Sequence, residues 1–526
     1  MFNMYKCERE VIVISNRELN YFGRRKITAS LREKDLNAES IRHVLLEVLP
    51  VHIQNSQDIN YLNEVYRGKQ DIYKKVKKYR PEINNQFVEN HLLHAVDFKL
   101  GYVFDGLQYV QTINEFDVNI EEENNDLTND MNSLNKFFKN TQKQTVSNAL
   151  SKQCYIGGVA PVMVYLNKDS KSKPFELLAV DPTQVAVVYS SGFRGERLFS
   201  IEMSTRRDYE KKETILVLVA TTRQHRYTYE MPYEDYTGWK KGTNFAKDAI
   251  RYVAVKKPVE EINARGDIPV FEYTLNEDRL SLVEIGLDAQ NALNQLTSSS
   301  IDDLEQFVQS LTVGIDVAID EDVWERATAQ GLLLLKTAEN KKGSIDILSE
   351  TLDYTALQTT YDGIQNRLYT ILGVPLLNIS GGGGDTGQAR LTDNGWLMAD
   401  TKAREDENGF VKSEQALLDY LLENLRERGL IGELELSNIE IKFNRNKVDN
   451  IQSKVQSMQM MIQSGVHPMR AMEVVGIFGD SSEVYQKSLD FFGKDFYIKG
   501  TGLKQEDKQV VVEKEVVKEE DDFEEE

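Results

Sequence analysis

The sequence predicts an α+β protein, mainly helical, with one β-rich stretch in mid-chain and a small mixed α/β segment after it. Three observations predict this. Apolar residues recur at helical spacing before about residue 158 and again from residue 282 onward. Between residues 158 and 270 they give way to short runs of β-branched and aromatic residues separated by Gly, Asp and Ser. At 526 residues the chain is too long for one core, and about 150 residues per domain predicts three or four compact units.

Residues 38–49 carry the first helical pattern within a polar opening. A stronger helix begins at Asp58, with Tyr61, Leu62, Val65 and Tyr66 apolar and Gly68 as its stop. A basic run, residues 73–80, comes next. Helical spacing returns over 84–100 at Phe87, Val88, Leu92, Ala95 and Val96, ended by Gly101. Residues 119–130, acidic and asparagine-rich, predict a loop, and 131–157 predict one helix. Strands are expected at 159–165, 176–180, 184–188, 197–203, 214–220 and 226–231, a spacing that suits an antiparallel sheet.

Helical spacing then runs over 282–310. The mixed segment 311–352 holds β-like runs at 313–319, 331–336 and 344–348, and a helix over 354–372 follows. Residues 378–390 contain four consecutive glycines. The next helix, 396–428, sets Phe410, Leu417, Leu418, Leu421, Leu422 and Leu425 on one side. A strand at 433–443 and helices at 451–465, 467–475 and 481–492 close the pattern. Beyond about residue 502, dense charge and few apolar residues predict disorder.

Charge constrains the partners. The net charge is −21, and the last 26 residues hold 11 acids against 4 lysines, so a −7 tail leaves −14 on the rest. A protein that grips DNA firmly neutralises phosphates with a basic footprint, so this chain is expected to let DNA slide rather than to hold it. Apolar runs such as 215–220 are too short to span a bilayer, and residues 11–14 are too short for a secretory signal. Both readings place the protein in a cytoplasm or in something assembled there. Cys7 and Cys154 lie far apart, without ligand spacing, and form neither a zinc site nor a disulfide framework.

Candidate chemistry is sparse. The frame from Gly382 to Gly387 fits the outer spacing of a phosphate loop, but Gln388 and Ala389 stand where Lys and Ser or Thr are needed, which favours a flexible inter-helix loop. His91, His94 and Asp97 share one helical face at i, i+3 and i+6. Metal ligands can be arranged so, yet the surrounding Leu92, Leu93, Ala95 and Val96 mark a packing helix. Asp302 and Asp303 read as a solvated helix face. The basic patch Lys74, Lys75, Lys77, Lys78 and Arg80, flanked by Tyr73 and Tyr79, is the best nucleic-acid signal; its bland alternative is a solvated basic face. No catalytic, cofactor-binding or metal residue is assigned, and no cofactor or enzymatic activity is expected.

The order of the pieces resembles siphophage-type bacteriophage portal proteins over nearly the whole chain. The segments that carry the likeness are Tyr61-Leu-Asn-Glu-Val-Tyr66-Arg-Gly68, the helix ending at Gly101-Tyr102, and Asp267-Ile-Pro-Val-Phe271 with Asn276-Glu277 beyond. They continue with Ser299-Ser300-Ile301-Asp302-Asp303-Leu304, the glycine-rich stretch 380–388, a long helix carrying Lys402, Ala403, Arg404 and Glu405, and a strand like 439–445. Residues 1–50 carry no motif of that family.

The resemblance implies a portal-protein fold with a helical stem and crown, a β-rich wing and a small α/β clip, assembled as a dodecameric ring. Its divisions would be an N-terminal segment 1–57, a wing 58–281 (helical to 157, β-rich over 158–270) and a stem helix 282–310. Then would come a clip 311–352, a second stem helix 353–376, a tunnel loop 377–395 and a long helix 396–430. A wing return strand 431–449, a crown 450–500 and an acidic tail 501–526 would complete the chain.

The DNA-facing tunnel loop would be Ser380, Gly381, Gly382, Gly383, Gly384, Asp385, Thr386, Gly387, Gln388 and Arg390. The implied role is a DNA channel at the capsid portal vertex of the virion, assembled in the host cytoplasm, serving viral DNA packaging, retention and genome ejection. Partners would be further copies of itself, the terminase large subunit, scaffold and major capsid protein, the head-completion or adaptor protein of the head-tail connector, and sliding double-stranded DNA, with no membrane. Two other readings stay open: a nucleotide-binding enzyme using the glycine-rich loop, or another virion adaptor ring.

Overall fold

A computed structural model of the chain describes residues 19, 22–77, 81–111, 121–210, 212–233, 258–263, 266–308, 311–315, 344–348, 354–376, 395–445, 451–478 and 481–492. The fold is α+β, and the chain falls into two compact units, residues 1–101 with 137–421 and residues 102–136 with 422–526.

In the first unit, helix α1 (Ala38–Tyr66) starts on a capping box. Asn37 accepts from the backbone N–H groups of Glu39 and Ser40, and Ser40 Oγ accepts from the Asn37 N–H at 2.9 Å. The first half of α1 buries Ile41, Val44, Leu45, Val48 and Leu49, a stripe at helical spacing. These pack on Val188, Phe199, Ile201, Leu216 and Leu218 of a six-stranded sheet. Burying each such side chain stabilises the fold by roughly 1.5–3 kcal/mol.

The sheet runs in the order β1 (Thr28–Ala29), β5 (Val185–Ser190), β6 (Arg197–Asp208), β7 (Glu213–Thr221), β8 (His225–Pro232) and β9 (Val259–Ile262). Its pairs are antiparallel except β1–β5. Alternation fixes the register, since Phe199, Ile201 and Met203 of β6 all face the core and a one-residue slip would expose them together. A second, three-stranded antiparallel sheet has the order β10 (Val270–Tyr273), β3 (Ala160–Leu166), β4 (Phe175–Ala179). Residues just before β1 thread into the core. The Arg24 guanidinium pairs with Asp58 of α1 at 3.1 Å and with Glu284 at 3.2 Å, all three side chains fully buried.

The remaining helices of the first unit are α2 (His91–Val103), α4 (Lys143–Gly157), α5 (Leu282–Val308), α6 (Tyr354–Leu372) and α7 (Trp396–Glu427), with the ends of α2 and α7 crossing its chain boundaries, while α3 (Glu121–Asn140) falls mostly in the second unit. Between α5 and α6 stands the antiparallel pair β11 (Leu311–Ile315) and β12 (Ser344–Leu348). Glu414 pins α7: it accepts from Lys143 Nζ of α4 at 2.8 Å and from Tyr273 Oη of β10 at 2.6 Å. In the second unit β2 (Leu107–Gln111) pairs antiparallel with β13 (Ile439–Phe443), and α8 (Ile451–Gln463), α9 (Pro468–Val475) and α10 (Ser481–Phe492) follow. No described helix is long and apolar enough to cross a membrane.

Five expectations need correction. The patterns at 38–49 and from 58 belong to one helix that runs straight through Pro50, because its apolar stripe is buried on both sides of the proline. The supposed loop 119–130 is helical from Glu121. The supposed single helix 131–157 is broken at Gln142, whose φ of 54° is left-handed. The pattern over 84–100 is helical only from His91, and the strand at 433–443 begins only at Ile439.

Gly409 lies in the middle of α7, where a Cβ would sit 2.0 Å from the carbonyl oxygen of Leu275. Helix propensity alone would make alanine better by about 1 kcal/mol. Overpacking against a backbone carbonyl costs about 1–3 kcal/mol, so the clash wins. Gly409→Ala is expected to lower the thermal midpoint measured by differential scanning fluorimetry. A midpoint at or above wild type would show that α7 and residue 275 are not in close contact.

Candidate functional site

Two features gather on helices α5 and α6: the base of the glycine-rich loop and an extended strap that carries the basic run. The loop residues Ser380, Gly381, Gly382, Gly383, Gly384, Asp385, Thr386, Gly387, Gln388 and Arg390 lie outside the described residues; the segments that anchor them do not. Helix α6 ends at Gly373 (φ 68°), and α7 begins after Gly395 (φ 79°). A Cβ on Gly395 would sit 4.0 Å from the Pro375 Cα, so the chain leaves and re-enters at one place. Trp396 stacks edge-on to Phe98 at 6.0 Å, and Lys99 of α2 donates to Asp406 of α7 at 2.9 Å. These contacts fasten the base of the loop to α2.

The strap is residues 85–91. Every second backbone N–H along it donates to a side chain on every fourth residue of α5, in antiparallel order. Asn85 N–H reaches Asp302 at 2.7 Å, Phe87 N–H reaches Ser298 at 2.9 Å, Glu89 N–H reaches Asn294 at 3.4 Å, and His91 N–H reaches Gln290 at 3.0 Å. The match is geometric. Four helical residues rise about 6 Å and two extended residues span about 6.6 Å. Gln290, Asn294, Ser298 and Asp302 are all at most 1% exposed, so each bond is made away from water. Leaving one such buried group unpaired costs about 1–3 kcal/mol.

The strap explains the basic run. Lys75 and Lys77 both donate to Asp302, at 2.8 and 2.6 Å, while Lys74 pairs with Asp71 at 3.2 Å; Lys78 and Arg80 lie outside the described residues. The Lys75 side chain is fully buried, so at this position the run is neither a solvated basic face nor a surface open to phosphate. Asp302 is likewise buried, not solvated. Burial alone would raise the Asp302 carboxyl. Hydrogen bonds from Lys75, Lys77 and Asn85 outweigh that and hold it at about 2, against an ordinary 3.8.

His91, at the end of the strap, joins it to α6. Tyr361 donates to Glu89 at 2.5 Å, so its oxygen accepts from His91 Nε2–H at 3.1 Å, and His91 Nδ1 accepts from Tyr369 Oη at 2.9 Å. Burial holds the imidazole below its ordinary value, with Glu89 opposing and His94 adding to the effect. Asp97 instead accepts from Tyr66 at 3.1 Å, so His91 and Asp97 are engaged by different tyrosines. Among the described residues no group of three or more His, Cys, Asp and Glu converges as a metal site would. A Cβ on Gly286 would meet Leu92, Leu368 and Leu372, which marks where α2, α5 and α6 touch.

Two long helices, α5 and α6, thus flank a small antiparallel hairpin, and the chain leaves α6 and enters α7 at one place. The chain belongs to the phage portal proteins of the SPP1 Gp6-like family, whose model matches residues 46–472. It is therefore a virion component of a structural, non-enzymatic family. It is also similar to a chain in a solved structure described as the neck of a native GTA particle computed with C12 symmetry. That likeness has 11% identity, covers 73% of this chain and 89% of the other, and has a TM-score of 0.39. No curated protein matches the chain.

Asp302→Asn is expected to cost about 3–5 kcal/mol, because it strands the buried Lys75 charge. Lys75→Met should cost less, since Lys77 still pairs with Asp302. Asp302 loses its proton more readily folded than unfolded, so its contribution is complete above about pH 4 and fades as pH falls toward 2. Urea titrations of wild type and Asp302→Asn across that range should converge in acid. Parallel curves would show that the pair does not carry the difference.

Proposed function

We propose that the chain is one subunit of a dodecameric ring that forms the DNA channel at the capsid vertex. The ring serves packaging, retention and ejection, and it docks the terminase motor first and the neck and tail proteins later. It assembles in the host cytoplasm with scaffold and major capsid protein. In this reading α5 and α6 are the stem and residues 311–352 the clip that meets the motor. Residues 377–395 form the tunnel loop, 58–281 with 431–449 the wing, 450–500 the crown and 501–526 an acidic tail.

Membership of the portal family is the observation that supports this most, and the pinned base of the glycine-rich loop adds to it. A loop lining a moving DNA column works best when flexible and weakly charged, because each strong phosphate contact is a brake. Residues 380–390 hold one cation, Arg390, beside Asp385, and Gly381 to Gly384 give them freedom. An acidic wall repels the backbone and keeps the duplex centred.

Native mass spectrometry with negative-stain imaging of the purified chain is expected to find a closed ring of about a dozen copies around an open channel. ATP should not be turned over. A chain that stays monomeric at high concentration, or hydrolyses ATP, overturns the reading. In a packaging assay with such rings, Gly382→Lys with Gly383→Lys should slow DNA movement, and an unchanged rate would place those glycines away from the DNA.

A further inference from the structure

Residues 451–469 are one of the sparsely charged stretches of this acidic chain. They carry a single charge, Lys454, where the chain's 28% charged fraction would place about five. Five of the twelve methionines fall between Met458 and Met472. At 100° per residue, Val455, Gln459, Gln463, Gln456 and Met460 of α8 occupy one contiguous arc of about 140°. All five are exposed, Val455 at 43% and Met460 at 64%. On the following helices Val474 of α9 is 73% exposed and Phe491 of α10 is 81% exposed.

Resting on the ring reading, we propose that the exposed, uncharged arc of α8 seats against α9 and α10 of the neighbouring copy, so that this arc is a contact between subunits. Chains of net charge −21 repel one another, and a neutral face is where two of them can approach. Glutamine amides are both donors and acceptors, so they find partners on a copy of the same chain without a complementary charge. A ring contact is head-to-tail and needs two different faces on each copy; α8 supplies one, and exposed apolar residues of α9 and α10, Val474 foremost, supply the other. Met460 is the one methionine in the arc, and its flexible side chain adapts to small shifts at such a contact.

The test uses the full chain. Gln459→Glu with Met460→Glu should lower the ring population in native mass spectrometry by at least about tenfold at equal concentration, with an unchanged circular dichroism spectrum. Met460→Gln, which stays neutral, should keep the ring. Met460→Cys with Val474→Cys should give inter-subunit disulfides under mild oxidation. Rings that persist in the double glutamate variant overturn the contact alone. Ring loss without the cross-link places another surface opposite α8 and overturns the pairing. A wild-type chain that never forms a ring overturns the ring reading itself.

Discussion

The ladder between residues 85–91 and helix α5 is the constraint on which the first unit's working parts depend. A helix normally buries an apolar stripe; α5 also buries a polar one, Gln290, Asn294, Ser298 and Asp302, and a buried polar side chain costs stability unless it is satisfied. The strap satisfies all four with its own backbone N–H groups. The bargain is mutual, since an extended segment with no strand beside it would otherwise leave those donors unpaired. Because each rung is specific, the two elements cannot slide past one another without breaking every bond together. Register is fixed here by side chains on a helix, much as a sheet fixes it by main chain.

From that fixed strap the order spreads. His91 ends the ladder and begins α2, and its imidazole holds Tyr361 and Tyr369 of α6. Eight residues along, Lys99 of α2 holds Asp406 of α7, and Phe98 packs on Trp396. The helices on either side of the glycine-rich loop are therefore both fastened to α2, and α2 is fastened through the strap to α5. This chain of contacts ties the described segments on both sides of the glycine-rich stretch to one helix.

Much of this was legible in the sequence, and the failures share a cause. The strands of the central region were readable within a few residues, because alternation is a local property enforced by one buried face. Helices α5, α6 and α10 were readable for the same reason. What local pattern hid was everything decided by a distant partner. Residues 84–90 have helical spacing at Phe87 and Val88, yet they stay extended because α5, some 200 residues on, takes their N–H groups. Lys75 and Asp302 are 227 residues apart, and each alone reads as an ordinary solvated charge. A stripe of Gln, Asn, Ser and Asp at strict four-residue spacing was the signal for the site. In the sequence it is masked by the much stronger apolar stripe of the same helix.

The fate of the basic run bears on how such a protein meets DNA. On an acidic chain, five cations in seven residues look like the one place to hold a phosphate backbone. Among the three that are described, two are committed to Asp302 and the third to Asp71. Releasing Lys75 to bind a phosphate would abandon a buried carboxylate and open the first rung of the ladder. That penalty falls on the folded unit, while a single phosphate contact on a mobile duplex is brief and screened by salt. Intramolecular pairing therefore wins at Lys75 and Lys77, whose charge holds the strap against α5.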